Sequence, residues 1–145
     1  MSLLLLISGL IIGLGAVTVI DLHGFLGKNS GYWTEATIRT HKVTKPLIWL
    51  GICLYILGLC LTNYYFDFLA FFNLQVLLIV LLILNGLFLS FYVSPLLLNL
   101  EKAGKGTELL SKSLQTKITI SFIFSFIGWW GSVALLAYSL ALALV

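Results

Sequence analysis

The sequence predicts an all-α fold: an integral membrane, antiparallel four-helix transmembrane bundle with its N- and C-termini on the extracytoplasmic side. Three observations predict it. First, of 145 residues 61% are hydrophobic and 9% are charged, with a mean hydropathy of +1.13. A soluble domain has roughly 45–50% apolar and about 25% charged residues, so most of this chain's surface must face lipid. Second, the apolar residues form four continuous stretches, each longer than the ~18 residues that cross ~30 Å of hydrocarbon. Continuous rather than alternating stretches exclude a β-barrel. Third, all 8 basic residues lie in two of the three connections. Lys28, Arg39, Lys42 and Lys45 are in the first, and Lys102, Lys105, Lys112 and Lys117 in the third. The second, T-N-Y-Y-F-D-F, has none. The positive-inside rule then places both basic connections in the cytoplasm of a multi-pass cell-membrane protein.

The first helix is expected over about 3–26. Its start has no Lys or Arg and no small-residue cleavage site follows, so a retained helix is expected rather than a secretory signal. Gly9 and Gly13 form G-x-x-x-G, and further steps of four reach Val17 and Asp21. That stripe suits close packing on a neighbouring helix. Asp21 is the only acid within the four spans and falls ~27 Å along the helix. It can meet water at the cytoplasmic boundary, pair with Lys45 or Arg39, or mark an ion, proton or cofactor site. His23 lies at the same boundary but ~200° away around the helix from Asp21.

The second helix is expected over about 43–61, with Pro46 in its first turns and an extension into the cytoplasm from about 34. There Thr34 can cap, Glu35 and Arg39 form an i,i+4 pair, and Tyr32 and Trp33 can anchor in the headgroups. His41, between Arg39 and Lys42, reads as a solvated loop residue. Cys53 and Cys60 share a helix face two turns apart, ~10 Å, too far to bridge, and read as small buried hydrophobes.

The third helix is expected over about 68–98, with Pro95 near its end, and the fourth over about 118–145, extended into the cytoplasm from about 107. Before it Gly106 breaks, Thr107 caps, and Glu108 pairs with Lys112. Counted from the cytoplasmic side, Asn85 and Trp129 both lie ~18–20 Å deep. Trp129 and Trp130 at mid-bilayer need acceptors or a wet cavity. Asn85 is the natural partner on a facing helix, with Tyr55 near the same layer. These residues serve either as interhelical glue or as the polar lining of a ligand pocket or pathway.

Several functions are disfavoured. No nucleophilic triad, carboxylate pair or H-x-x-x-H motif is visible, and A-G-K-G-T has no preceding strand to make it a phosphate loop. Nucleic acid is not an expected partner. Two stretches, I-I-G-L-G-A-V-T-V-I-D and L-I-L-N-G-L-F-L-S, together with R-T-H-K-V-T-K-P-L-I-W, resemble a bacterial family of small four-helix membrane proteins. That family is distantly similar in pattern to the copper-resistance D and protoporphyrinogen-oxidase-like membrane families. The resemblance implies a four-helix bundle, with haem held in some relatives by histidines on helices 1 and 3. Here Ser8 and Ser90 stand at those places.

The leading expectation is a non-enzymatic membrane protein that binds a hydrophobic or cofactor-like ligand, or a partner subunit, within the bilayer. Asp21, Asn85, Trp129, Trp130, Tyr55 and Ser90 are the ligand or pathway candidates, and Gly9 and Gly13 the packing residues. Such a small chain suits a homo-oligomer or an accessory subunit. The alternatives are a b-type haem protein using His23 and His41, and a small oligomeric ion or proton channel or transporter in which Asp21 titrates.

Overall fold

The computed structural model describes residues 1–27, 32–66 and 71–143, except for the side chains of residues 21, 23–27, 33, 66 and 143. Among the described residues there are no strands. The elements are α1 (Ser2–Gly27), α2 (Tyr32–Phe66), α3 (Phe72–Phe88), a π-helical turn (Leu89–Val93), α4 (Ser94–Lys102) and α5 (Lys112–Ala143). Because α3, the π turn and α4 run on without a break, the described chain makes 4 rods long and apolar enough to cross a membrane: Ser2–Ile20, Thr34–Tyr65, Phe72–Lys102 and Lys112–Leu142.

Neighbouring rods are antiparallel, as their contacts show. On α2, Gly58 faces Leu6, Gly51 and Tyr55 face Gly9, and Gly51 also faces Gly13. Between α2 and the third rod, Tyr55 meets Gln75, Trp49 meets Ser90, and Lys42 meets Glu101. Between α3 and α5, Leu78 faces Gly131, Leu82 faces Gly128, and Asn85 meets Ser125. With α1 also packed on α5, the four rods close a ring in chain order.

The outer and inner faces are sorted for a lipid solvent. Leu4, Ile11, Leu57, Leu77, Leu84 and Ile123 are among the large apolar side chains left exposed. The interior holds an apolar cluster around Leu6, Leu10, Ile52, Leu59, Leu82 and Trp129. It also holds Gln75 and the α5 serines Ser121, Ser125, Ser132 and Ser139, all buried. Their spacing of four and seven residues keeps these serines on one face of α5. A second apolar cluster closes the end that carries the basic residues, with Ile38 of α2, Val93, Leu97 of α4, and Leu110, Leu114 and Ile118. Thr34 donates to the Glu108 carbonyl at 2.6 Å, and the Lys42–Glu101 ion pair at 2.7 Å joins α2 to α4.

Several expectations are corrected here. Thr34 lies inside α2 rather than capping it. The fourth rod starts at Lys112, not near 107. Ser111 rather than Thr107 caps it, accepting from the Leu114 amide at 3.4 Å. Glu108 pairs with Lys105 at 3.9 Å instead of Lys112. A loop anchored to Thr34 leaves no room for an earlier helical start. The third rod is not one regular helix. Pro95 lacks an amide hydrogen, and its ring would strike the carbonyl four residues back. The wider turn just before it, where the Ser94 amide reaches the Leu89 carbonyl, opens the spiral at that point. Cys53 and Cys60 are exposed rather than buried, because Gly51, Ile52, Tyr55, Gly58, Leu59 and Thr62 take up the inner face of α2.

Candidate functional site

The polar side chains inside the bundle fall into three layers. Toward the termini, Tyr55 of α2 donates its hydroxyl hydrogen to the Gln75 side-chain carbonyl. The Gln75 amide reaches the Ser132 carbonyl at 3.4 Å. Both Tyr55 and Gln75 are wholly buried. Trp129 packs beside this layer, its ring 6.4 Å from that of Tyr55 and its six-membered edge filling the space over Gly13. Farther along the bundle, Thr62 and Ser139 have buried hydroxyls with no hydrogen-bond partner among the described residues.

The middle layer is a knot between α3 and α5. The Asn85 amide donates to the Ser121 carbonyl at 3.0 Å and to the Ser125 hydroxyl at 2.8 Å. Its carbonyl accepts from the Ser121 hydroxyl at 2.6 Å. Asn85 therefore does not serve Trp129 or Trp130. The antiparallel register sets it opposite Ser121 and Ser125, one to two turns from Trp129, which instead faces α1 and Tyr55. Trp130 is 46% exposed on the outside of the bundle, its ring tilted against that of Phe126 at 6.1 Å, so it lines no interior pocket. Tyr55 belongs to the layer nearer the termini, not to that of Asn85.

The third layer lies at the π turn. Trp49 of α2 lies against Gly86, where an added Cβ would come within 3.3 Å of its ring, and donates from Nε1 to the Ser90 hydroxyl at 3.1 Å. Beside them is a cavity of about 30 Å3 that also takes in His41, Lys45 and Ser125, with Val17 and Ile20 of α1 on its wall. His41 is 8% exposed, and its Nε2 is buried with no partner among the described residues. It is thus not a solvated loop residue: α2 is already helical from Tyr32 and turns His41 inward while Lys42 faces Glu101. A porphyrin does not fit in a cavity of this size.

A larger opening lies on the outside, between α3 and α5. It holds about 300 Å3, with Leu81, Leu84, Phe88, Ile120 and Phe124 as walls and Asn85 and Ser121 at its back. Lys117 closes its basic end, donating to the Tyr92 hydroxyl at 2.8 Å and lying 4.8 Å above that ring. Past Lys117 a second hollow of about 430 Å3 runs on beside Asn99, Ser111 and Ser113.

Gly9 and Gly13 lie on the inner face of α1. Asp21 and His23 are within α1, but their side chains lie outside the described residues. Among the described residues, no group of 3 or more His, Cys, Asp or Glu side chains gathers to hold a metal ion. Sequence reasoning missed Gln75, the Trp49–Ser90 bond, and the meeting of His41 with Lys45. A glutamine inside an apolar span was a readable signal for the first. Compared with models of protein families, with curated proteins and with solved structures, the chain matches none.

Proposed function

We propose that the protein is a multi-pass integral membrane protein, not an enzyme, that holds the hydrocarbon chain of an anionic amphipathic ligand in the α3/α5 groove. Its basic connections face the cytoplasm and its termini the opposite side, by the positive-inside rule. The groove carries this reading. Its volume of about 300 Å3 falls at the lower end of ligand sites, ~300–1,000 Å3. Leu84, Phe88, Ile120 and Phe124 match a hydrocarbon chain. The Lys117 ammonium at the groove's cytoplasmic end matches a negative head group, and the second hollow beyond it, whose one carboxylate, Glu108, is paired with Lys105 at 3.9 Å, gives that group space. Anionic lipids concentrate on the cytoplasmic leaflet, where Lys117 would lie.

The test is photolabelling in nanodiscs with phosphatidylglycerol that carries a diazirine in its acyl chain. Labelled peptides should centre on Leu84, Phe88 and Phe124. Leu84→Trp or Ile120→Trp, which fill the groove, should cut that labelling several-fold. Even labelling around the bundle would overturn the reading. So would protein–protein crosslinks through the groove in place of lipid adducts, since a partner subunit would then cover this face.

A further inference from the structure

We propose that the cavity beside His41 is a binding site for a small monovalent anion of halide size. The argument rests on which hydrogens are already committed. Ser90 accepts from Trp49 Nε1 at 3.1 Å, and Ser125 accepts from the Asn85 amide at 2.8 Å. Each hydroxyl therefore keeps its own hydrogen to give, and among the described residues neither gives it. Both serines line the cavity, as do Lys45 and buried His41, whose Nε2 has no partner among the described residues. Lys45 has no carboxylate within 4.0 Å among the described residues, since the ion pairs there are Arg39–Glu35, Lys42–Glu101 and Lys105–Glu108.

Among the described residues the polar lining thus offers two uncommitted hydroxyl hydrogens and a cation but no carboxylate, which suits a negative charge. Buried donors are costly to leave unmet, which favours an occupant that accepts from them. Size narrows the choice. A water needs ~10–15 Å3 of such space, so about 30 Å3 holds one or two waters or one halide. A carboxylate or phosphate ligand with a carbon skeleton does not fit. The walls from Val17, Ile20, Ile48, Leu89 and Phe122 are apolar, and a charge interaction made against them is stronger than in water. Position supports the assignment as well. The anion would sit where the π turn opens the third rod, and π turns recur at functional sites.

The test compares detergent-solubilised protein in sodium chloride, sodium bromide and sodium gluconate at equal ionic strength. Gluconate is too large to enter. A saturable rise in Tm is expected in chloride and bromide but not in gluconate. Bromide should also quench tryptophan fluorescence saturably, and Trp49→Phe should remove that component. Ser90→Ala combined with Ser125→Ala, and separately Lys45→Met, should each weaken the halide effect tenfold or more while the protein stays folded in gluconate. Equal Tm in all three salts would overturn the proposal and leave water as the occupant. A halide effect that survives in all these variants would place the ion elsewhere and overturn it too. If Asp21→Asn creates a halide effect absent from the unmodified protein, the occupant is the chain's own carboxylate and the proposal fails.

Discussion

The α1/α2 seam and the α3/α5 seam solve the same problem in opposite ways. Helices in lipid gain little from burying apolar surface against each other, so close packing and hydrogen bonds must join them. At α1/α2 the backbones touch. A Cβ on Gly9 would come within 2.7 Å of the Gly51 carbonyl oxygen, and one on Gly51 within 2.8 Å of Gly13 Cα. At α3/α5 side chains do the joining. Leu82 sits over Gly128 and Leu78 over Gly131, while Asn85 ties into Ser121 and Ser125. Side chains hold helices farther apart than glycines do, and the α3/α5 groove is the space that remains. A seam closed by glycine is rigid and leaves no room. A seam closed by side chains can carry a ligand.

Three substitutions separate the two seams. Gly51→Ala should have the largest effect. Its Cβ meets backbone that has nowhere to go, so the loss should reach or exceed the ~1–3 kcal/mol of ordinary overpacking. Thermal unfolding and size exclusion in mild detergent would show a large fall in Tm and loss of the monodisperse species. Little change in Tm would mean that α1 and α2 do not meet at their backbones. Asn85→Leu should be intermediate. It removes three interhelical bonds, each worth ~0.6 kcal/mol on average inside a membrane protein, so a total of about 2 kcal/mol is expected in reversible unfolding. An effect equal to that of Gly51→Ala would shift the weight of the fold to the α3/α5 knot. Gly128→Ala should be smallest, within about 1 kcal/mol. The new Cβ meets side-chain atoms of Leu82, Cδ2 at 2.6 Å and Cγ at 2.8 Å, rather than backbone, so one side chain must shift, and alanine favours helix over glycine by ~0.5–1 kcal/mol. If Gly128→Ala costs as much as Gly51→Ala, the two seams are alike and the contrast between them is lost.

The contrast also shows what could be read in advance. The G-x-x-x-G of Gly9 and Gly13 announces a close approach, because only small residues allow one. Its partner on α2 is Gly51-x6-Gly58, a spacing that draws no notice until the antiparallel register aligns it with Leu6, Gly9 and Gly13. Depth along a rod could be counted for Asn85 and Trp129. Rotation and register could not, so the two were paired although Asn85 faces Ser121 and Ser125 and Trp129 faces Gly13. His41 was misread for a related reason. Its sequence neighbours Arg39 and Lys42 are solvated, but on a helix the next residue points ~100° away.

By itself the sequence determined the fold class, the approximate places of four apolar rods and the end of the bundle that carries positive charge. These follow from composition and from order along the chain, which act through the solvent and need no partner. The tertiary structure alone decided which polar groups meet across the rods: Tyr55 with Gln75, Asn85 with two serines, Trp49 with Ser90, and the small cavity that these last two share with His41 and Lys45. It also decided that the third rod widens before Pro95 and that a groove opens between α3 and α5. The pairings between rods and the groove depend on the rotation and register of one helix against another. In a lipid solvent those are set by which small and polar side chains fit together, a property of pairs of segments that no single segment contains.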